Sequence, residues 1–204
     1  MLHRFREVAD RMLVPFVDAA EALGLTPDGV SVIAFGFAGA AAGAFYVGGA
    51  SGPAWLYLAA SFFVFANGWL DLVDGALART LGTDSKGGDL LDHVLDRYAD
   101  VLIIAGLAAG ADAYALGLLA VTGVLLTSYL GTQIQAVGLG REYGGLLGRA
   151  DRLALVGLVG VVAFALPGEL VAGLGAVELL LALFAVVGHL TALQRFWGAW
   201  SDLS

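Results

Sequence analysis

Four aspartates in two short segments are the residues of this sequence best suited to chemistry. On a helix, Asp71 and Asp74 are three positions apart and Asp92 and Asp96 are four apart, so each pair occupies one face of its own helix. Four carboxylates that face one another in a low dielectric repel strongly and need a compensating cation. Because carboxylate oxygens are hard ligands and the chain has no cysteine, the pattern favours Mg²⁺, Mn²⁺ or Ca²⁺ over zinc.

Small residues and an arginine follow the first aspartate pair. Gly75 and Ala78 carry little side-chain bulk, so a ligand can approach the helix backbone there. Arg79 lies one turn beyond Gly75 on the same face, where its planar guanidinium suits a bidentate contact with phosphate. A metal site beside a phosphate-binding arginine indicates a diphosphate substrate.

Two neighbouring residues are candidates for supporting roles. Asn67 precedes Asp71 by one turn on the same helix face, where its amide can hydrogen-bond a metal ligand, the nucleotide or a neighbouring helix. Gly88 ends a polar, glycine-containing segment between the two aspartate pairs. That segment predicts a hairpin, which would bring the two helices side by side.

The rest of the chain is apolar enough to lie in a membrane. Of its 204 residues, 59% are hydrophobic and 14% are charged, and the mean hydropathy is +0.86, which excludes an ordinary soluble domain. A membrane-crossing helix needs about 20 apolar residues. Six stretches meet this need, and the sequence therefore predicts an all-α integral membrane protein with transmembrane helices at 30–49, 53–78, 88–110, 112–138, 151–167 and 169–196.

The N-terminal residues have a different character. Residues 2 to 23 place apolar side chains at helical spacing with charged residues on other faces, which predicts an amphipathic helix on the membrane surface. We therefore divide the chain into a juxtamembrane helix, residues 1–26, and a six-helix transmembrane catalytic domain, residues 27–204.

The distribution of charge predicts an orientation in the cell membrane. Basic residues gather at the N-terminus, at alternate connections and near the C-terminus. The positive-inside rule then places both termini and the aspartates on the cytoplasmic side. A net charge of −8 argues against a nucleic acid partner, which would need a basic surface.

The motif residues resemble the signature of a known family. The sequence is similar at every fixed position to the motif of the CDP-alcohol phosphotransferases, reading Asp71-x2-Asp74-Gly75-x2-Ala78-Arg79-x8-Gly88-x3-Asp92-x3-Asp96. Thr26-Pro27-Asp28 resembles the Thr-Pro-Asn that precedes the first membrane helix of many members. The resemblance implies a phospholipid-synthesising transferase. Such an enzyme moves a phosphatidyl-type or archaetidyl-type group from a CDP-linked lipid to the hydroxyl of a small polar alcohol and releases CMP.

The same resemblance implies roles for the motif residues. One or two ions of Mg²⁺ or Mn²⁺ would be bound by the four aspartates, Asp71, Asp74, Asp92 and Asp96. Asp96 would also act as general base on the incoming hydroxyl. Gly75, Ala78 and Arg79 would line the CDP site. The family further implies a homodimer in which the cavity of each subunit faces the cytoplasm.

A later stretch of the chain bears on the identity of the acceptor alcohol. Ser128-Tyr129 and the segment from Arg149 to Leu153 resemble members that use inositol phosphate, although Gly131 and Gln133 stand where those members usually carry Lys and Arg. The candidate ligands of an acceptor phosphate, whether of inositol phosphate or of glycerol phosphate, are Arg141, Arg149 and Arg152. The alternative is that these arginines are positive-inside anchors. The lipid is open between diacylglycerol and an isoprenoid ether.

A different class of function also accommodates the aspartates. Carboxylates within a membrane mark cation or proton pathways in small transporters. Gly75, Ala78 and Arg79 argue against such a pathway, because a cation route gains nothing from an arginine beside its ligands. The transferase is therefore the main prediction and the transporter its alternative.

Overall fold

The computed structural model describes residues 2–140 and 146–204, with side chains from residue 11 onward. Apart from one isolated β-bridge between Val171 and Leu174, the regular structure of these residues is helical. The helices are α1 Leu2–Ala22, α2 Pro27–Ala50, α3 Trp55–Leu81, α4 Lys86–Gly110, α5 Tyr114–Ala136, α6 Arg149–Ala165 and α7 Ala176–Leu203. The predicted all-α class is confirmed.

Membrane-spanning character is clearest in α2, α3, α5 and α7. Within the described ranges, these four helices are long and apolar enough to cross a bilayer, and they overlap four of the six predicted spans. The protein is therefore a membrane protein. α4 is as long, but its first half carries Lys86, Asp89, Asp92 and Asp96, and α6 has 17 residues. α4 departs from a purely apolar composition because it carries part of the predicted site.

The last predicted span lies differently in the structure. The apolar pattern predicts a helix over 169–196, whereas α7 begins at Ala176 and ends at Leu203. Residues 166–175 connect α6 to α7, and they include Gly168 at φ 103° and Gly173 at φ 79°. Glycine adopts such backbone angles without steric cost. The prediction was wrong here because this connection is nearly as apolar as the helices on either side of it.

Helix α1 packs along α3 through one of its faces. Leu13, Val17 and Ala20 are buried in an apolar cluster with Val73 of α3, while Met12 on another face is exposed. The helix leads into α2, where the Thr26 side chain accepts a hydrogen bond from the Gly29 N–H at 3.1 Å. This capping bond satisfies one of the free amide groups at the start of α2.

Small residues allow the helices around the aspartates to approach closely. A side chain at Gly106 of α4 would collide with the backbone of Ala42 in α2. Gly123 of α5 and Gly188 of α7 approach each other in the same manner. Backbone approach at small residues is the usual means of helix association in lipid. Because α2 also packs against α3, the helices α2, α3 and α4 form one closely packed group.

A short hairpin joins the two helices that carry the motif. α3 is followed by Gly82, which has φ 63°. α4 is capped by Ser85, whose Oγ accepts a hydrogen bond from the Gly88 N–H at 3.0 Å. A Cβ at Gly88 would lie 3.1 Å from Oδ1 of Asp28. The absence of a side chain at Gly88 thus lets the start of α4 lie against α2, which aligns the aspartates of α4 with those of α3.

Candidate active site

Carboxylates from α3 and α4 meet at one point. Oxygen atoms of Asp71, Asp74 and Asp92 all lie within 4.8 Å of one another. Asp74 is buried, and the other two are partly exposed. Like charges this close repel in a low dielectric and need a cation to offset them, and an all-oxygen donor set fits Mg²⁺ or Mn²⁺. The structure thus brings together three of the four aspartates that the sequence predicts as metal ligands.

Asp74 is held by a residue outside the motif. Ser31 of α2 donates a hydrogen bond from its Oγ to Oδ2 of Asp74 at 2.5 Å. Both side chains are buried, so the contact fixes one orientation of the carboxylate. Residues that hydrogen-bond a metal ligand usually orient it. Ser31 was not among the predicted site residues, because spacing within one helix does not reveal which residue of another helix will face it.

Asp96 lies beside this cluster and contacts two arginines. Its carboxylate is 2.6 Å from Nη2 of Arg149 and 3.3 Å from Nη2 of Arg97. Nη1 of Arg149 lies 2.7 Å from Oδ2 of Asp71, so a single guanidinium connects Asp71 with Asp96. Asp96 is therefore the motif aspartate that lies outside the group of three carboxylates, and it contacts two arginines.

Asp100 of α4 also forms an ion pair with an arginine of α6. Asp100, one turn beyond Asp96, lies 2.9 Å from Nη2 of Arg152, and both side chains are buried. A buried charge needs such a partner. Arg152 was predicted as an acceptor ligand, and the structure places its guanidinium on Asp100. The third predicted acceptor arginine, Arg141, lies outside the described residues.

A large cavity opens next to Asp96. Its volume is about 1040 Å³, and it lies between α3, α5 and α6 with contributions from α4 and α7. Among the described residues, the arginines that line it are Arg97, Arg149, Arg152 and Arg195. Ser128 and Thr132 of α5 add hydroxyl groups to the wall. Asp71 and Asp96 also line the cavity, so the four arginines leave it with an excess of positive charge in a protein whose net charge is −8.

Two of these cavity arginines were not predicted as site residues. Arg97 donates a hydrogen bond to Ser128, and Arg195 donates one from Nη1 to the backbone oxygen of Thr127 at 2.5 Å. Arg97 follows Asp96 directly in the sequence, which is the only signal that could have marked it. Arg195 lies far from the motif, and only the packing of α7 against α5 brings it to the cavity.

The predicted CDP-binding residues lie along α3 beyond the aspartates. Gly75, Ala78 and Arg79 continue the helix face of Asp71 and Asp74. Arg79 is exposed, and its Nη1 would lie 3.4 Å from a Cβ placed at Gly75. The guanidinium therefore lies over the glycine, with its polar edge accessible to a ligand.

Asn67 connects α3 to α2. It is 2% exposed, and its Nδ2 donates a hydrogen bond to the backbone oxygen of Ala34 at 3.0 Å. Its Oδ1 has no hydrogen-bond partner among the described residues. Asn67 also borders a small void with Asp71, Asp92 and Asp96. The structure therefore supports the helix-to-helix contact among the predicted options and places Asn67 beside a void that three motif aspartates also border.

Comparison with known proteins identifies the family. The profile of the CDP-alcohol phosphatidyltransferases matches residues 25–193. The chain is 32% identical over 206 residues to archaetidylinositol phosphate synthase of Methanothermobacter thermautotrophicus, covering 100% of this chain and 96% of that protein. It is 35% identical over 182 residues to phosphatidylinositol phosphate synthase of Streptomyces avermitilis, covering 82% and 71% of the two chains. The chain belongs to the CDP-alcohol phosphatidyltransferase family.

Solved structures agree with this assignment. Phosphatidylinositol phosphate synthase of Mycobacterium tuberculosis in complex with manganese and citrate matches with a TM-score of 0.77 and 25% identity, covering 92% of this chain and 88% of that one. The same enzyme with CDP-DAG bound matches with a TM-score of 0.76 and 26% identity, covering 93% and 94%. The resemblance read from the motif is confirmed: the protein is a metal-dependent transferase of phospholipid synthesis. The transporter alternative is set aside.

Proposed function

We propose that the protein transfers the lipid phosphate group of a CDP-linked lipid to a hydroxyl of inositol phosphate and releases CMP. The observation that carries this acceptor is the arginine-lined cavity beside Asp96. A neutral alcohol would not need several guanidinium groups, whereas a phosphate is the ligand that such groups bind best. The names of the archaeal and bacterial relatives point the same way.

The metal site is proposed to rest on Asp71, Asp74 and Asp92, with Asp96 able to complete it. The first three carboxylates already lie within 4.8 Å of one another. When bound, a divalent ion would offset the charge of the diphosphate and favour departure of CMP. Ser31 would hold Asp74 in the orientation that binding requires.

Asp96 is proposed as the base that accepts the proton of the incoming hydroxyl. The hydroxyl oxygen forms a bond to the phosphorus next to the lipid, the bond from that phosphorus to the oxygen of CMP breaks, and the proton passes to Asp96. Arg149 and Arg97 hold this carboxylate at the cavity wall. Its contribution is mainly its position, because a fixed carboxylate both orients the hydroxyl and takes its proton as the bond forms.

Arg149, Arg195 and Arg97 are proposed to bind the acceptor phosphate. Arg149 touches Asp96, so a phosphate on this guanidinium would bring the attached inositol ring next to the base. Ser128 and Thr132 supply hydroxyl groups on the same wall for the ring. Arg152, which donates a hydrogen bond to Asp100, would contribute positive charge to the cavity wall.

The nucleotide and lipid are proposed to lie along α3. Gly75, Ala78 and Arg79 would receive the CDP diphosphate beside the carboxylates. The cavity wall near Phe65 and Leu72 is apolar and open, and both side chains are more than half exposed. Hydrocarbon chains of either diacylglycerol or an isoprenoid ether could lie on such a wall, which buries their surface away from water.

Membrane arrangement and assembly complete the proposal. We propose six transmembrane helices, α2 to α7, within a catalytic domain of residues 27–204, preceded by α1 as an amphipathic juxtamembrane helix in residues 1–26. The basic residues support a cytoplasmic position for the termini and the site. Resemblance to the family supports a homodimer.

The acceptor is tested with purified protein in detergent or vesicles. CDP-diacylglycerol or CDP-archaeol is supplied with Mn²⁺ and, in separate reactions, inositol phosphate, glycerol phosphate, free inositol or serine, and the lipid product is identified by mass. A lipid product whose mass equals that of the CDP-lipid plus inositol phosphate minus CMP supports the proposal. A product from glycerol phosphate, free inositol or serine but none from inositol phosphate would overturn the acceptor.

A further inference from the structure

One guanidinium serves two carboxylates with different proposed tasks. Arg149 contacts Asp71 at 2.7 Å and Asp96 at 2.6 Å, and its Nε lies 4.0 Å from Asp100. Asp71 belongs to the carboxylate cluster and Asp96 is the proposed base. The side chain of Arg149 is only 15% exposed, yet it borders the cavity. It therefore stands between the metal site and the acceptor site and is accessible to both.

The contact with Asp71 conflicts with binding of a cation. Oδ2 of Asp71 accepts a hydrogen bond from Nη1 of Arg149, and an oxygen engaged by a guanidinium is less available to a metal ion. A cation that takes this oxygen of Asp71 therefore has to displace Nη1 of Arg149. Arg149 neutralises part of the carboxylate charge, as a metal ion would.

We infer that Arg149 couples metal binding to acceptor binding by exchanging partners between Asp71 and the acceptor phosphate. This inference rests on the proposed function. When Asp71 turns to a cation, Nη1 of Arg149 is released while Nη2 keeps its contact with Asp96. The released N–H groups face the cavity and bind phosphate. A bound cation thereby frees Arg149 from Asp71, and a bound acceptor phosphate frees Asp71 from Arg149.

Coupling of this kind has to be reciprocal. If the cation increases affinity for the acceptor phosphate by some factor, the acceptor must increase affinity for the cation by the same factor. The acceptor and the ion would then favour each other's binding, while Nη2 of Arg149 keeps its contact with Asp96. An enzyme built in this way binds the acceptor more weakly before its metal site is occupied.

The test measures binding without turnover. Mn²⁺ affinity of the purified protein is determined by titration calorimetry or by the electron spin resonance signal of free Mn²⁺, with and without inositol phosphate and in the absence of CDP-lipid. Binding of Mn²⁺ by inositol phosphate itself is subtracted. We expect inositol phosphate to tighten Mn²⁺ binding about fivefold or more, which is the range of ordinary coupling between sites.

Variants of Arg149 test whether this residue carries the coupling between metal and acceptor binding. Arg149→Lys keeps the charge but lacks the planar guanidinium that contacts two carboxylates. We therefore expect inositol phosphate to leave the Mn²⁺ affinity of this variant unchanged, which is a coupling factor of about one. Arg149→Gln should in addition bind Mn²⁺ more tightly in the absence of acceptor, because the competitor of Asp71 is gone. Arg11→Lys is the matched control: Arg11 is exposed on α1 and has no part in the proposed site, so its variant should retain the coupling.

Failure of the coupling and failure of the proposed function give different results. If Mn²⁺ and inositol phosphate both bind to the wild-type protein but neither alters the affinity of the other, the exchange by Arg149 is wrong and the acceptor assignment stands. If inositol phosphate does not bind even with Mn²⁺ present, the acceptor assignment fails. Equal coupling in the wild-type protein and in a folded Arg149→Lys variant would also overturn the inference. Thermal unfolding verifies that each variant is folded.

Discussion

The hydroxyl of Ser31 on α2 donates a hydrogen bond to the carboxylate of Asp74 on α3 at 2.5 Å. It links a helix that carries none of the motif aspartates to the cluster of carboxylates. Because neither side chain is exposed to water, loss of the hydroxyl would leave Asp74 free to turn away from its neighbours. The precision of the cluster therefore depends on α2 as well as on α3 and α4.

Ser31→Ala is expected to weaken metal binding. Removal of a residue that orients a metal ligand usually lowers metal affinity by about 10-fold to 100-fold, and we expect the same range for Mn²⁺ here. Ser61→Ala is the matched control, because Ser61 also bridges two helices, from α3 to the backbone of Gly157 in α6, but contacts no carboxylate. Titration with Mn²⁺ measures both. Unchanged affinity in the Ser31 variant would mean that the bond does not orient Asp74.

Asp96→Asn is expected to abolish turnover and to spare binding of CDP-lipid. An asparagine of the same size cannot accept the proton, and loss of a positioned base lowers kcat by at least about 100-fold. Asp89→Asn is the control, since Asp89 lies on the same helix with a largely exposed side chain and pairs with His93. Product formation and equilibrium binding of CDP-lipid are measured in parallel. A variant that keeps most of its rate would refute the role of Asp96 as base.

Arg79→Lys is expected to weaken nucleotide binding. Lysine retains the charge but cannot form two parallel hydrogen bonds to a diphosphate. Loss of one such charge-assisted bond weakens binding by about tenfold or more. Arg11→Lys, an exposed position on α1, should leave affinity for CMP unchanged. If both variants bind CMP as well as the wild-type protein does, the guanidinium over Gly75 is not a ligand of the nucleotide.

Gly106→Ala is expected to destabilise the fold. Its added methyl group would collide with the backbone of Ala42, and overpacking of this kind costs about 1–3 kcal/mol. Gly36→Ala is the comparison, because a Cβ at Gly36 meets nothing within 4 Å and alanine favours the helix. Thermal unfolding in detergent should show a lower Tm for the first variant and an equal or higher Tm for the second. Equal Tm values would show that α2 and α4 can separate without cost.

Much of this arrangement could be predicted from local pattern. The separation of Asp71 from Asp74 and of Asp92 from Asp96 predicts one face on each of two helices, and the polar segment between the pairs predicts the hairpin. The structure brings Asp71, Asp74 and Asp92 together accordingly. These features depend on residues close together in the sequence, where helical geometry determines what is adjacent.

Other features depend on contacts between distant helices. Ser31 and Arg195 reach the site only because α2 and α7 pack as they do, and no spacing within one helix reveals these partners. The contact of Asp96 with Arg149 of α6 has the same origin. The start of α7 was misplaced for a different reason, since hydrophobicity alone does not distinguish an apolar connection from the turn of a helix.

Two ion pairs, about one helical turn apart, connect α4 to α6. Arg149 meets Asp96 at 2.6 Å, and Arg152 meets Asp100 at 2.9 Å. Moving α6 along its axis by a single residue would break both ion pairs and leave buried charges without partners, which is strongly unfavourable. The two ion pairs therefore help to set the register of α6, together with its packing on α3, where a Cβ at Gly160 would collide with Ser61 and Tyr57. A substitution that shifted α6 along its axis would also change the depth at which the two guanidinium groups enter the cavity.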